Sequence, residues 1–511
     1  MYLLKSIISI GIVTILCRIL GFIRDFLIAF IFGTSLETDA FFVALKIPNL
    51  LRRIFSEGAF SQAFIPILSE YKKIGNIKLM NNFISAIFSI LMIVMIIIVF
   101  FSIFFSGLLV KIISPGFSNN FEQLLLTKNL LQIILPYVFL ISIVNFYTAI
   151  LNIYNVIILP TFLPIIFNLT MIIFIWFILP FFNKPIYALS CSVLFSGIFQ
   201  LLYQFFLLYK EKIIIFPKID MKNIGLIRVY KKFLTGIFSS AIIQVSLLVN
   251  NIFASLLIPK SLSWIYYADR LMEFPLAILS VSLTTVLLPL LSKNYLCNEK
   301  KFFKLFNWGI RISFLLGIPS ALFLAILTNP IVKVLFQYGN FTALDSLMTS
   351  QILFVYSFGL IAFILIKILS LGFYSRQDTI TPMKISLFSV IIIQIINIIG
   401  INFFKHCTFA ISISIGSWVN VFLLYYNLYK KHNFIIKLKS LNFFLSITLA
   451  SLVMSIYMLY ILKIMPEWDI GYFYNKIINL FFLIFSSIFL YFFVFFLLGY
   501  RLINFICFKK K

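Results

Sequence analysis

The sequence predicts an all-α polytopic membrane protein with about fourteen transmembrane helices. Of its 511 residues, 62% are hydrophobic and 11% are charged, and the mean hydropathy is +1.11. A soluble domain carries about 25% charged residues, so this chain cannot cover itself with polar surface and must be surrounded by lipid. The apolar residues also form long continuous runs, and about 20 of them suffice for a helix to cross the hydrocarbon core.

These runs are too long for the strands of a membrane barrel, which leaves helices as the structure that satisfies the backbone in lipid. Clusters of Pro, Gly and Asn mark the clearest breaks, at 111–125 and 329–343. In chain order, the predicted spans are 6–32, 36–69, 80–111, 125–152, 158–181, 185–209, 233–258, 264–291, 305–328, 343–371, 381–403, 407–429, 441–463 and 475–500.

The basic residues outside the spans indicate the orientation. If the N-terminus lies in the cytoplasm, 25 of the 41 Lys and Arg residues fall in inside loops and tails, eight fall in outside loops and eight lie within spans. This asymmetry predicts that both termini are cytoplasmic. It also accounts for the net charge of +26 without a nucleic-acid partner.

The sequence gives no reason to expect a metal site, a disulfide or a cofactor. The two histidines, His406 and His432, lie far apart, and no C-x-x-C pair occurs. The five cysteines are scattered, at Cys17, Cys191, Cys297, Cys407 and Cys507.

A short internal repeat suggests two halves. Span two contains KIPNLL and FIPILSEY, and span eight, six spans later, contains MEFPLAI and LLPLLSKNY. Transporters are often built from such repeats, with the substrate between them. The sequence therefore predicts an N-terminal lobe at 1–222, a C-terminal lobe at 223–432 and two extra spans within 433–511.

Ionisable residues inside the spans form the candidate site. Each costs at least about 2.5 kcal/mol at the bilayer centre, so each needs a cavity or a partner. They concentrate in three spans. Span one carries Arg18, Arg24 and Asp25, span two carries Asp39, Lys46, Arg52, Arg53 and Glu57, and span eight carries Asp269, Arg270 and Glu273.

Helical spacing places several of these residues on common faces. Arg270 and Glu273 are neighbours at i+3, and Pro48 and Pro275 are expected to kink the two helices beside the charges. In span two, intervals of 7, 7 and 4 residues predict one charged stripe, formed by Asp39, Lys46, Arg53 and Glu57.

Two interpretations of these charges remain open. They are either salt bridges that hold helices together or the lining of a cavity for a charged substrate. The three spans hold six bases against five acids, so pairing alone leaves a surplus of bases. Most of the bases are arginines, whose planar fork binds phosphate and carboxylate oxygens in pairs. This surplus favours an anionic substrate, most simply a phosphate or diphosphate.

Four segments carry a resemblance to a known family. They are CRILGFIRD at Cys17–Asp25, TDAFFVALKIPNLLRRIFSEGAFSQAFIPILSEY at Thr38–Tyr71, WIYYADRLMEFP at Trp264–Pro275 and GFYSRQDTITP at Gly372–Pro382. Over its whole length the chain resembles the MurJ (MviN) family of bacterial lipid II flippases, within the multidrug/oligosaccharidyl-lipid/polysaccharide exporter superfamily. Cys17 departs from the family, which usually has serine there.

The resemblance implies two six-helix lobes in a V around a central cationic cavity, with two C-terminal helices forming a groove for the lipid tail. Together with the charge pattern, it assigns substrate binding to Arg18, Arg24, Arg52, Arg53, Arg270, Asp39 and Glu273. Gating or ion-pair roles are assigned to Asp25, Lys46, Glu57 and Asp269.

The implied function is movement of lipid II, an undecaprenyl-diphosphate-linked muropeptide, to the outer leaflet of the bacterial inner membrane by alternating access. It involves no catalysis and serves peptidoglycan synthesis, cell-wall biogenesis and cell shape. The surrounding partners would be membrane lipids, and the cell-wall synthesis machinery is a candidate partner.

The alternatives are an exporter of another polyprenyl-linked saccharide, a multidrug exporter, and a membrane enzyme such as a polyprenyl-phosphate glycosyltransferase. A cation-coupled drug exporter should show unpaired acids rather than surplus arginines. An enzyme should show paired carboxylates, and among the loop acids only Glu467 and Asp469 come close to such a pair.

We expect the loop from Lys210 to Lys232 to be cytoplasmic and the loop around Gly339 to Ala343 to be external, because the first is rich in basic residues. Single cysteines in each loop of a variant without the native cysteines would be treated with an impermeant reagent on intact cells. Labelling of the second loop alone is the expected result. Labelling of the first loop from outside would reverse the orientation.

Overall fold

The computed structural model describes residues 2–53, 60–154, 156, 158–213, 215–218, 220, 224–432, 441–465, 468 and 472–500. Within these residues the chain is almost wholly helical and contains no strand. The predicted all-α class is therefore confirmed. The chain divides into two compact units, Met1–Ser263 and Trp264–Lys511.

The N-terminal unit contains helices that pair to make the longer predicted spans. Phe105 separates α4 from α5, and Leu135, just before Pro136, separates α6 from α7. The helices are α1 Tyr2–Phe32, α2 Leu36–Leu51, α3 Ser61–Ile74, α4 Ile77–Phe104, α5 Ser106–Ile113, α6 Phe121–Ile134, α7 Pro136–Ile153, α8 Leu163–Ile173, α9 Ile186–Lys210 and α10 Ile224–Ser255.

Aromatic packing forms the core of this unit. Phe64 of α3 stacks on Phe83 of α4, with ring centroids 5.8 Å apart, and contacts Phe146 of α7 at 5.2 Å. All three rings are fully buried. Elsewhere α1 packs on α8, α2 on α6 and α10 on α3. These contacts place the charged residues of α1 and α2 beside helices that lie far away in the sequence.

A glycine allows the end of α10 to approach the turn after α5. A Cβ atom at Gly116 would lie 1.8 Å from the backbone oxygen of Ser255. The Gly116 N–H instead donates to the Ser255 hydroxyl at 3.3 Å. Only glycine fits this approach without movement of the backbone.

The C-terminal unit is built around α13 and α14. These two helices pack on each other, α14 and α15 pack on α16, and both α17 and α18 pack on α13. The Tyr491 hydroxyl of α18 donates to the Leu315 carbonyl of α13 at 2.8 Å. The first helix, α11 Ser261–Leu276, begins in the N-terminal unit and continues into this one. The others are α12 Ser282–Cys297, α13 Glu299–Phe336, α14 Ala343–Tyr374, α15 Ile380–Phe404, α16 Thr408–His432, α17 Leu441–Ile464 and α18 Phe473–Leu497.

The break expected at 329–343 is shorter than predicted, because α13 continues through Pro330 to Phe336. A proline removes one backbone hydrogen bond, and neighbouring helices in a membrane protein can compensate for the loss. The compact units meet at 263–264, whereas the lobe boundary drawn from the sequence falls at 222–223. The two boundaries differ in where they place α10, which packs against α3 and α5 and so falls in the N-terminal unit. The division into two lobes and a C-terminal pair stays a prediction.

The outer surface of the helices suits lipid. Ten helical stretches among the described residues are long and apolar enough to cross a membrane. Large apolar side chains point outward from them, such as Phe104 of α4, which is 72% exposed. Exposed apolar surface on this scale is typical of contact with a membrane. The count of fourteen spans stays a prediction.

Candidate functional site

Arg24 and Asp25 of α1 form a buried ion pair. The Arg24 guanidinium donates from Nε and Nη2 to the same carboxylate oxygen, Oδ1 of Asp25, at 3.0 and 2.7 Å. Both side chains are buried. The charge of Arg24 is therefore neutralised by its own neighbour in the sequence.

Asn168 of α8 completes this arrangement. Its side-chain oxygen accepts from Nη1 of Arg24 at 3.0 Å, and its Nδ2 donates to the Cys17 carbonyl at 3.2 Å. Sequence reasoning missed Asn168. The available signal was an amide in the middle of the apolar string LPIIFNLTMII, since a polar residue at membrane depth needs a partner.

Arg18 differs from Arg24, although both lie on α1. Its side chain is half-buried, and it makes no hydrogen bond or ion pair with any other residue that the structure describes. A guanidinium carries five N–H donors in a planar fork. Arg18 therefore offers a cation whose donors are available to an anion.

Asp39 of α2 accepts three hydrogen bonds at the start of α11. Its Oδ2 accepts from the Lys260 N–H at 2.7 Å, and its Oδ1 accepts from the Ser263 N–H and hydroxyl at 2.9 and 2.5 Å. The first N–H groups of a helix have no partner within the helix. The buried Asp39 carboxylate therefore caps this turn from another helix.

Lys46, one residue of the predicted stripe, is also engaged. Its Nζ donates to Oδ1 of Asn251 in α10 at 2.7 Å. Asn251 is buried, and its Nδ2 donates to the Ile113 carbonyl at 3.3 Å. Asp39 and Lys46 thus link α2 to residues of the 251–263 region.

Arg52 and Arg53 follow directly after α2, in a π-helical turn four residues beyond Pro48. Arg52 is half-buried and Arg53 is exposed. Proline and π-type turns interrupt the regular backbone hydrogen bonds of an α-helix, and π-bulges are frequent at functional sites. Glu57, the last member of the predicted stripe, lies outside the described residues.

In the C-terminal unit, Arg270 forms an ion pair with Glu273 at 3.1 Å. Its guanidinium also lies 5.0 Å from the ring centre of Tyr266. Arg270 remains 39% exposed, so part of its fork is accessible. Asp269 is exposed as well, on the turn next to Arg270. A π-helical segment, Ala277–Val281, begins two residues after Pro275, so both prolines beside the charges precede a π-type turn.

The candidate residues fall into two groups. Asp25, Asp39 and Lys46 contact other helices or their own neighbours, whereas Arg18, Arg53 and Arg270 keep accessible guanidinium groups. Within the described part of the chain, no three His, Cys, Asp or Glu side chains gather as metal ligands. The substrate-binding and gating roles stay predictions.

The helical fold and its candidate membrane spans define a polytopic membrane protein. A family model described as lipid II flippase MurJ matches residues 28–479. The chain is 45% identical, over 100% of both chains, to the probable lipid II flippase MurJ of Buchnera aphidicola subsp. Schizaphis graminum. It is 36% identical to the lipid II flippase MurJ of Burkholderia cenocepacia, over 89% of each chain. The chain belongs to the MurJ lipid II flippase family, which confirms the resemblance found in its sequence.

Solved structures agree with this assignment. A lipid II flippase MurJ in an inward closed conformation aligns with a TM-score of 0.78 and 27% identity, covering 95% of this chain and 98% of that one. An inward-facing multidrug resistance MATE family transporter of the MOP superfamily aligns with a TM-score of 0.66 and 14% identity, covering 82% and 96%. The second likeness shows a shared fold alone. The chain is thus a multi-pass inner-membrane protein of a transporter family.

We expect Asp39→Ala to lower the thermal stability of the purified protein. The change leaves the Lys260 and Ser263 N–H groups without their acceptor, at about 1–3 kcal/mol for each buried unsatisfied group. Asp39→Asn keeps one acceptor oxygen, so its thermal stability should lie between that of Asp39→Ala and that of the unaltered protein. Glu37→Ala is the matched control, because Glu37 lies in the same helical turn and makes no hydrogen bond with a described residue. Equal melting temperatures of Asp39→Ala and the unaltered protein in detergent would contradict the role of Asp39 in holding the start of α11.

Proposed function

We propose that this protein moves lipid II from the cytoplasmic to the outer leaflet of the inner membrane for peptidoglycan synthesis. The observation that carries the proposal is identity along the full length to proteins described as lipid II flippases, 45% in one case. The substrate is moved without any change to its covalent bonds. Both termini lie in the cytoplasm, as the distribution of basic residues suggests.

The chemistry of the substrate fits the accessible arginines. Lipid II carries a diphosphate and peptide carboxylates on a long polyprenyl chain, so its head group is anionic and its tail is apolar. Arg18 is half-buried and uses none of its donors on another described residue, which suits a bidentate grip on a phosphate. Arg52, Arg53 and Arg270 supply further positive charge, and the tail stays in lipid.

Arg24 has a different part in this scheme. Asp25 and Asn168 occupy three of its N–H donors, so a phosphate must replace or supplement them. We infer that Asp25 holds Arg24 while no substrate is bound. This would reduce the cost of a buried cation during the return of the empty protein.

Asp39 serves the same cycle at the other end of the helices. On the predicted topology, Asp39 and Lys260 lie near the external surface. Their hydrogen bond, together with those from Ser263, would hold the start of α11 against α2 while the protein moves through an alternating-access cycle.

We expect Arg18→Ala, Arg24→Ala, Arg52→Ala and Arg270→Ala each to abolish rescue of cells depleted of their own flippase, while the proteins still insert at normal levels. Lysine at these positions should rescue in part, because the charge remains while the planar fork is lost. Growth and immunoblots of membranes would be measured together.

Arg311→Ala is the matched control for these variants. Arg311 is also an arginine in a predicted span, but its guanidinium lies 5.9 Å from the ring centre of Phe443, and the residue is not one of the candidate site residues. It should support growth. Normal growth of all four site variants would refute the cationic binding site.

The membrane potential is the energy source that we expect. No Asp or Glu occurs from Leu226 to Ser263, which includes most of α10, or from Ile380 to Lys439, which includes α15 and α16. A carboxylate usually contributes to a cation site. With the inside negative, each negative charge carried outward gains about 2.3 kcal/mol per 100 mV.

A lipid II topology assay in cells would test this. Dissipating the potential should stop flipping, whereas replacing sodium by another monovalent cation should not. Strict dependence on sodium at constant potential would count against the potential as the driving force.

A further inference from the structure

A cavity of about 660 Å³ lies in the C-terminal unit, where α15 begins and α16 ends. It plays no part in the function proposed above. Its polar lining comes from Asp378, Thr381, Lys384, Asn427 and Lys431, and its apolar lining includes Ile385, Phe388 and Leu423. We propose that this cavity binds an anionic phospholipid, with the phosphate at Lys384 and Lys431 and an acyl chain along Phe388 and Leu423.

Along both α15 and α16, the side chains that line the cavity change from polar near the end of the helix to apolar further along it. On α15, Thr381, Lys384 and Phe388 follow one another at i, i+3 and i+7, so they share one face. On α16, Lys431 and Leu423 are eight residues apart, about two turns, and share a face with Asn427 between them. The lysines lie toward the ends of the membrane-spanning run Ile380–Lys431. A phospholipid has this arrangement, with its charge at the interface and its chains below.

The charged side chains at the polar end of the cavity carry a net charge of +1. Asp378 forms an ion pair with Lys431 at 3.3 Å and accepts from the Thr381 N–H and hydroxyl at 3.0 and 2.7 Å. Lys431 also donates to the Thr381 hydroxyl at 2.7 Å. Lys384 is exposed and makes no hydrogen bond or ion pair with a residue that the structure describes. Two ammonium groups and one carboxylate therefore match a phosphate that carries a single negative charge.

Asp378 stays ionised in this arrangement. Burial alone would raise the pKa of Asp378, but the hydrogen bonds from Thr381 and Lys431 outweigh it and bring the pKa below its usual value. The Asp378 carboxylate holds Lys431 in place at neutral pH, so Lys384 is the lysine that remains to attract the ligand.

The apolar wall favours a lipid over a soluble anion. Phe388 is 52% exposed although it lines the cavity beside Lys384. Inorganic phosphate or a sugar phosphate would leave this ring uncovered, whereas an acyl chain would cover it. On the predicted topology the cavity opens to the cytoplasmic leaflet, whose anionic lipids are attracted to basic residues at the ends of spans.

Native mass spectrometry of the full-length protein in detergent would test the proposal. The protein would be offered dioleoylphosphatidylglycerol, dioleoylphosphatidylcholine, glycerol phosphate and inorganic phosphate, each at the same concentration. We expect a tightly bound phosphatidylglycerol and a several-fold preference for it over phosphatidylcholine. Equal binding of both lipids would overturn the proposal, and so would retention of either soluble phosphate as strongly as phosphatidylglycerol.

A pair of lysine variants separates the site from general attraction to the membrane surface. Lys384→Gln should lower phosphatidylglycerol binding about three- to fivefold, the upper range for one exposed charged contact, and Lys384→Arg should restore it. Lys430→Gln is the matched control, because Lys430 is exposed beside Lys431 but does not line the cavity. An equal loss in Lys430→Gln would overturn the site.

A measurement on the unaltered protein covers the case in which Lys384→Gln does not fold. A phosphatidylglycerol with a photoactivatable acyl chain would be cross-linked to the full-length protein, and the adducts mapped by peptide mass spectrometry. Enrichment of adducts within residues 380–388 or 423–431 supports the proposal. Adducts spread over the outer surface with no enrichment there would overturn it. Neither measurement depends on flipping of lipid II.

Discussion

The cost of placing an ionised group away from water governs the arrangement of this protein. The chain carries 41 basic residues and only 15 acidic ones, so most cations cannot find a carboxylate. Neutral groups make up part of the difference. Asn168 accepts from Arg24 and Asn251 accepts from Lys46. Backbone N–H groups in turn satisfy the buried Asp39 carboxylate. A buried charge needs hydrogen bonds as much as an opposite charge.

Because acidic residues are scarce, the charged residues divide into those that are paired within the protein and those that are available to a ligand. Asp25 and Asp39 are paired with partners within the protein, and the Lys46 ammonium donates to the side-chain amide of Asn251. Arg18 is left without a described partner, and Arg270, which forms an ion pair with Glu273, stays 39% exposed. Arg18 loses little on binding an anion, because its donors are not already committed to a described residue. This availability supports the proposal of an anionic head group as the ligand.

The backbone is irregular at the same places. Pro48 precedes the π-helical turn at Arg52 and Arg53, and Pro275 precedes the π-helical segment after α11. A helix that has lost part of its hydrogen-bond ladder bends at lower cost than a regular one. Alternating access needs such bending close to the substrate. Elsewhere the packing is regular, and Phe64 against Phe83 and Phe146 belongs to the close-packed core of the N-terminal unit.

Sequence by itself determined the helical membrane class, the family and the positions along the chain where charge lies inside the spans. These follow from composition and from local periodicity, and both act over a few turns of helix. It misjudged the end of α13, because a proline at membrane depth is tolerated when neighbouring helices pack around it. It could not find Asn168 or Ser263 as partners of Arg24 and Asp39, since 144 and 224 residues separate them. Spacing shows which face of a helix a side chain occupies, but only tertiary packing decides what lies opposite that face. The division of the charged residues into paired and available groups therefore came from the structure alone.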